Sequence, residues 1–285
     1  MSKTFQNIAE LEPGTLMIVD ALNLAFRYKH SRQLNFKDDY MKTVESLRKS
    51  YKAKYVIIAC DQGSSSYRKE LFPDYKGNRE ELRANQTAEE ALEFKLFFEE
   101  FNATMQAYRD MEKFPLLRFP GVEADDIAGY IVKTVPDHFP IDNIWLISSD
   151  RDWDLLVALG VANRFSYVTR KEVTYDNWNT HYDCEPDQYI SIKCLQGDSG
   201  DNVPGVDGLG PVRSAALVKQ YGTTYDIIAN LPLPGKAKYI QNLNQFGADA
   251  LLLNYKLMDL VEFSEEAVGA ENCEFIDQVL KDYIK

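Results

Sequence analysis

Three short apolar runs in this chain end in aspartate. Leu16-Met17-Ile18-Val19 leads to Asp20, and Tyr55-Val56-Ile57-Ile58-Ala59-Cys60 leads to Asp61. Ile144-Trp145-Leu146-Ile147 passes through Ser148-Ser149 to Asp150. Each run is nearly continuous and rich in β-branched or aromatic residues, the pattern of strands buried on both faces of a parallel sheet. Helical patterns lie between them, from Tyr40 to Tyr51 after the first run and from Ala124 to Lys133 before the third. Alternating strands and helices predict an α/β fold, with a central, mostly parallel sheet flanked by helices. In open sheets of this kind ligands bind outside the carboxyl ends of the strands, where all three aspartates fall. A single aspartate there is commonly a turn residue or a helix cap; three after three strands predict a shared site.

From Tyr67 to Met111 the pattern changes. Tyr67-Arg68-Lys69 and Tyr75-Lys76-Gly77-Asn78-Arg79 are basic and aromatic, and Thr87 to Phe101 reads as a helix rich in Glu and Phe. This predicts a long, mobile insertion between sheet elements, at about 67–111. From about Thr180 the chain reads as mainly helical, with loops at Gly197–Pro211 and at Leu231-Pro232-Leu233-Pro234-Gly235. Two regions are therefore expected: an α/β core over 1–180, and a helical region over 181–285 packed on it.

Composition changes this picture in two places. A net charge of −12 over 285 residues argues against a simple electrostatic DNA binder. Yet between Arg27 and Arg83 there are 14 Lys and Arg against 8 Asp and Glu, so a basic face stands beside acid that is concentrated elsewhere. The four cysteines form no CxxC pair and no zinc spacing, as in a reduced cytoplasmic protein with incidental thiols. No apolar run approaches the roughly 20 residues that span a bilayer, so no membrane partner is expected. The segment Met1 to Leu11 is mostly polar, without the apolar stretch of a signal peptide.

The acids cluster. In Gly121-Val122-Glu123-Ala124-Asp125-Asp126 a helix start carries Glu123 and Asp126 on one face, with Asp125 beside them. The helix dipole favours acids there in any case. Asp150 and Asp152 have the i, i+2 spacing that points two side chains the same way from an extended segment, while Asp154 suits a helix cap. Gln196-Gly197-Asp198-Ser199-Gly200-Asp201-Asn202 joins Asp198 and Asp201 to a glycine-rich turn, Val203 to Pro211, whose backbone N–H groups can meet a phosphate. An acidic loop before a tight turn is the plainer alternative.

Asp20, Asp61, Glu123, Asp125, Asp126, Asp150, Asp152, Asp198 and Asp201 are hard oxygen ligands, suited to Mg²⁺ or Mn²⁺. The three histidines, His30, His138 and His181, lie outside these clusters, which disfavours a zinc hydrolase. A two-metal site would stabilise both the attacking and the leaving oxygen of a phosphodiester. No Ser–His–Asp arrangement and no Walker motif is visible. Lys76 and Arg79 can meet a scissile phosphodiester through charge-assisted hydrogen bonds. Tyr75 can stack on an unpaired base, or pack within its own loop.

At these residues the chain resembles the 5′ nuclease family, the flap endonucleases and the 5′→3′ exonuclease domains attached to bacterial DNA polymerases, in its bacteriophage branch. The resemblance runs from about Leu16 to the Pro234 region. It rests on Ile18-Val19-Asp20-Ala21-Leu22-Asn23, Tyr75 to Arg79, Gly121 to Asp126, Ser149-Asp150-Arg151-Asp152 and Gly197 to Asn202. It implies a PIN-like fold whose insertion is a helical arch passing a 5′ single strand. It also implies a helix–three-turn–helix element, with Gly205, Gly208 and Gly210, that grips duplex and can bind K⁺. Lys76 and Arg79 match the family's catalytic basic pair, and the nine acids match its carboxylates. Arg27, Tyr75, Lys193 and Arg213 match positions that contact DNA. The implied activity is Mg²⁺-dependent cleavage of DNA at 5′ flaps and 5′ ends by a monomer, in a host cytoplasm if phage-encoded. Two alternatives remain open: removal of RNA primers from RNA–DNA hybrids, and a junction-binding protein whose acids are structural.

Overall fold

The computed structural model describes residues 12–285, apart from the side chains of Pro13, Glu80 and Glu81. The reading of Met1 to Leu11 lies outside the described residues. The three apolar runs are strands, β1 (Glu12–Asp20), β2 (Ala53–Ala59) and, after the two-residue β3 (Leu116–Leu117), β4 (Asn143–Ile147). With β5 (Ala162–Ser166) and β6 (Lys171–Val173) they form one sheet in the order β3-β2-β1-β4-β5-β6. All neighbours run parallel except β6, which is antiparallel to β5.

Alternation along β1 shows why the run is apolar throughout. Leu16 and Ile18 enter one core with Ile57, Leu146 and Ile127, whereas Met17 and Val19 enter the opposite core with Val56, Ile58 and Phe97. All four β1 side chains are fully buried, so a slip of one residue in register would leave no face polar and gain nothing. At roughly 1.5–3 kcal/mol per buried large apolar side chain, these layers dominate the fold's stability.

Helices α1 (Ala21–His30) and α2 (Lys37–Ser50) cross from β1 to β2. Then follow α3 (Ser66–Leu71), α4 (Asn78–Ala84), α5 (Ala88–Met111), α6 (Ala124–His138) and the short α7 (Asp154–Val157). Helix α5 starts as expected, with Thr87 and Glu90 forming a capping box, but it continues ten residues beyond Phe101. Its second half is core: Phe97, Phe101, Met105 and Tyr108 pack with Tyr28, Phe36 and Tyr40 of the α1–α2 region. Helix α3 is tied down as well, since Arg68 is buried. Exposed side chains predominate only from Arg79 to Lys95, a shorter projection than 67–111.

The helical region does not pack as one body. Helices α8 (Tyr189–Gln196), α9 (Pro211–Tyr221), α10 (Thr224–Ala229) and α11 (Lys238–Met258) build a cluster of their own around Leu195, Leu217, Ile227 and Leu243. Helices α12 (Ser264–Val268) and α13 (Ala270–Tyr283) instead return to the sheet, where Val268, Ile276 and Leu280 close the core against Ile127 and Ile131 of α6. Among the described residues no helix is long and apolar enough to cross a membrane.

Candidate active site

The carboxyl ends of β1, β2 and β4 and the start of α6 meet around one cleft. Among the described residues, four acids there accept hydrogen bonds from neutral donors alone. Asp20 ends β1 and caps α1, accepting from the Asn23 N–H at 3.1 Å and from Ser148 Oγ at 2.8 Å. Asp61 accepts the Ala124 N–H at 2.6 Å, Asp125 accepts from Trp153 Nε1 at 2.6 Å, and Asp150 accepts the Asp152 N–H at 2.9 Å. Burial pushes all four above the usual carboxylate range, Asp61 to about 6. Repulsion adds to it: Asp61 and Asp150 act on Asp20, and Asp150, Asp20 and Asp61 act on Asp125.

A second group of acids is paired with cations. Lys76 Nζ lies 2.8 Å from Glu123 Oε1 and 3.7 Å from Asp201 Oδ2, and Arg79 Nη2 lies 2.8 Å from Asp201 Oδ1. Lys193 pairs with Asp152 and stands 3.8 Å from Asp198 Oδ2. Burial alone would raise Glu123, but Lys76 and Arg68 outweigh it and hold it below its ordinary value. The same balance works in reverse for Lys76 and Lys193: burial disfavours their charge, and the facing acids more than restore it.

The basic loop and the acidic loop form one unit. Lys76 has a left-handed backbone (φ 57°), held by its N–H to the Asp201 carbonyl at 2.9 Å. Asn202 Nδ2 donates to the Asp74 carbonyl at 2.8 Å, and Asn78 Nδ2 to the Ser199 carbonyl at 2.9 Å. Within the acidic loop, Asp198 Oδ1 accepts the N–H groups of Gly200 and Asp201 at 2.8 and 3.2 Å.

Four of the candidate residues are engaged within the protein. Tyr75 is 2% exposed, its hydroxyl 3.0 Å from Glu123 and 2.9 Å from Asp201, so its ring packs against the cleft, in keeping with the second of the two roles open to it. Asp126 is 1% exposed and clamped by both terminal nitrogens of Arg68 at 2.7 Å. Lys193 is drawn into the acid cluster, against Asp152 and Asp198. Asp154 likewise caps nothing; it is buried against Arg164. Arg27 stands apart, in an open groove with Gln33, Asp39 and Lys42.

The residues that sequence reasoning passed over are Arg68, Ser148 and Trp153. Arg68 sat in a basic run read as surface, and Ser148 looked like a spacer before Asp150. Trp153 follows Asp152 with nothing to mark its indole as a donor to Asp125.

The turn between α8 and α9 is built on close backbone contact. A Cβ on Gly205 would fall 1.8 Å from the Gln196 carbonyl oxygen. Asn254 of α11 fastens the crossing, donating to the carbonyls of Cys194 at 2.9 Å and Pro204 at 2.8 Å. Gly208 has φ 82°, and Gly210 precedes α9 with open space where a Cβ would be. Arg213 donates to the Gly208 carbonyl at 2.9 Å and lies 5.0 Å over the Tyr239 ring. Gly205→Ala is expected to destabilise the protein by about 1–3 kcal/mol, the usual penalty of overpacking, and to distort this turn. Urea unfolding of the variant checks it.

Among the described residues, no three acidic, histidine or cysteine side chains stand close enough to grip one ion together; Lys76 and Lys193 lie among the carboxylates instead. The donor set nevertheless fits a hard divalent cation. It is all oxygen, and among the described residues the four acids pushed above their usual range accept from neutral groups alone.

An α/β sheet with acids gathered at its strand ends, a basic loop clasped over them and a glycine-lined turn beside them define a nuclease. The chain belongs to the 5′–3′ exonuclease family. The model for "5'-3' exonuclease, N-terminal resolvase-like domain" matches residues 15–182, and that for "5'-3' exonuclease, C-terminal SAM fold" matches residues 184–278. The flap endonuclease of Escherichia phage T5 is 40% identical over 100% of this chain and 99% of its own. A 5'-3' exonuclease of Bacillus subtilis is 28% identical over 86% of this chain and 82% of its own. A crystal structure of the bacteriophage T5 flap endonuclease as a pseudo-enzyme-product complex with DNA and metal ions superposes with a TM-score of 0.87 at 40% identity, covering 95% of this chain and 98% of that one.

Proposed function

We propose that the chain is a structure-specific 5′ nuclease that hydrolyses DNA at 5′-flap/duplex junctions and from 5′ ends, using two or more Mg²⁺ ions, with Mn²⁺ as a substitute. The observation that carries this reading is the clasp: Lys76 and Arg79 are held by Glu123 and Asp201 directly over the acid cleft. Divalent ions bound by the acids would polarise the phosphodiester and stabilise the attacking and leaving oxygens. Asp20, Asp61, Asp125 and Asp150 are the principal ligands in this reading, with Glu123, Asp152, Asp198 and Asp201 in support. Lys76 and Arg79 exchange their carboxylate partners for the scissile phosphate and offset its growing charge. Tyr75 keeps Glu123 and Asp201 in place during that exchange.

The turn from Gly205 to Gly210, with Arg213, holds duplex backbone, which supplies affinity without sequence information. A K⁺ ion in this turn is supported by Ser214 Oγ, which is buried on α9 and has no hydrogen-bond partner among the described residues. Backbone-gripping groups do not distinguish ribose from deoxyribose, so the substrate class extends to RNA 5′ strands paired with DNA. A monomer suffices, because one chain carries every acid and both basic residues.

The test is an end-labelled 5′-flap duplex incubated with Mg²⁺ and with EDTA. Cleavage beside the junction with Mg²⁺, abolished by EDTA, is expected. A gel shift on the same flap without cleavage in Mg²⁺ or Mn²⁺ would replace this reading by junction binding alone.

A further inference from the structure

The end of the sheet opposite the acids carries a groove that the proposed reaction leaves unused. Helix α2 ends at Ser50, just before β2 starts at Ala53, and α5 ends at Met111, just before β3 starts at Leu116. Strands β1, β2 and β3 run parallel, so these helix ends meet at the amino ends of the strands, while the acids lie at the carboxyl ends. Between the two helix ends is a groove of about 490 Å³, within the usual range of pockets that take a small organic group.

Its floor is apolar, made by Met41 of α2, Tyr108 and Met111 of α5, and Phe114. Met111 is 54% exposed at the last turn of its helix. Unbranched thioethers adapt their shape to an apolar group set against them. Around this floor stand Lys42, Lys49 and Lys113, with Glu45 as the acid of the lining. Glu45 is already held by Arg48 at 2.7 Å and by Lys113 at 3.0 Å, and Lys49 stands 4.0 Å from it. The Lys42 partner, Asp39 at 3.4 Å, is outside the lining, and the pair is exposed to water and weak. Positive charge is therefore in excess at this spot, in a chain whose net charge is −12. The hydroxyl of the buried Tyr108 has no hydrogen-bond partner among the described residues, a donor the protein leaves unused.

We propose that this groove docks an acidic segment of another protein, which seats one large apolar side chain against Met41 and Met111 and sets its carboxylates against Lys49 and Lys113. Charge complementarity selects an acidic partner. The floor selects a protein side chain over a nucleobase: Tyr108 is 3% and Phe114 7% exposed, and neither offers the bare ring face on which a base stacks. An apolar pocket enclosed by charged groups is also the usual form of a site that captures one anchoring side chain. A partner held here grips the enzyme at the far end of the sheet, and leaves the acid cleft and the α8–α9 turn open to DNA.

The probe is a short, dye-labelled peptide of aspartates with one central phenylalanine, titrated with the full chain and followed by fluorescence anisotropy. Two control peptides carry alanine in place of the phenylalanine, or lysines in place of the aspartates. Met111→Glu puts a charge on the floor, and Lys49→Glu reverses one charge of the rim. Both side chains are exposed and far from the cleft, so both variants are expected to melt and to cut the flap as wild type does. The phenylalanine peptide is expected to bind wild type saturably. Both control peptides on wild type, and the phenylalanine peptide on either variant, are expected to bind about tenfold more weakly or worse. Absence of saturable binding below about 1 mM, equal binding of the alanine peptide, or undiminished binding in either variant overturns the proposal. So does displacement of the peptide by a thymidine oligonucleotide, which makes the groove a nucleic-acid site, or self-association that Met111→Glu abolishes, which makes its occupant a second copy. Binding is read without substrate or divalent metal, so its outcome does not depend on whether the flap is cut.

Discussion

Asp150→Ala is expected to slow flap cleavage on the order of 10³-fold or more and to leave the protein folded. Metal-ion stabilisation of a phosphoryl transition state is worth several kcal/mol, and each 1.36 kcal/mol is about tenfold in rate. Asp150 is one of four acids on which burial and neighbouring acids both act against the charged form. Among the described residues, its carboxylate accepts only the Asp152 N–H. Removing it therefore relieves repulsion without breaking an ion pair, so urea unfolding should show unchanged or slightly higher stability. Single-turnover cleavage in Mg²⁺ measures the loss. A variant that keeps wild-type cleavage would remove Asp150 from the chemistry.

Arg68→Met carries the largest expected effect on stability. Arg68 is 2% exposed and makes a two-pronged pair with Asp126, a contact of 3.6 Å with Glu123 and a bond to the Leu257 carbonyl at 2.7 Å. Removing one partner of a buried pair leaves the other charge uncompensated, which costs about 3–5 kcal/mol. Urea unfolding should register that loss, and Arg68→Met with Asp126→Leu should regain most of it, because the double variant buries no orphan charge. A loss below about 1 kcal/mol in the single variant would mean that Asp126 finds another partner or water. Cleavage should fall as well, since Arg68 also touches Glu123 and anchors α3, which leads into the basic loop.

The architecture is legible in the chain because strands buried on two faces leave continuous apolar runs with no polar alternation, and because Asp20, Asp61 and Asp150 each follow one. The acids announced themselves by crowding. Other features depended on partners far away in sequence. Nothing local to Tyr75 says that its ring will be sealed beneath Glu123 and Asp201. Nothing near Arg68 says that Asp126, 58 positions on, will hold it in the interior. Helix spacing puts Asp126 on the face of Glu123, and that face meets the Arg68 guanidinium. Helix α5 outran its expected end because Met105 and Tyr108 find a core against α2, and tertiary burial extends a helix beyond its strongest local signal.

The return of α12 and α13 to the sheet has a consequence for biogenesis. The chain emerges from the ribosome in order, and α6 appears long before the helices that cover it. Throughout that interval Ile127 and Ile131 present a bare apolar flank, the kind of surface that chaperones hold and that aggregates form on. Asp150, Asp152, Asp198 and Asp201 all emerge within that interval, so the set of acids is complete before the flank is covered. A ribosome stalled just before α12 would therefore carry a chain with every acid of the cleft but an uncovered apolar flank, which the last two helices seal.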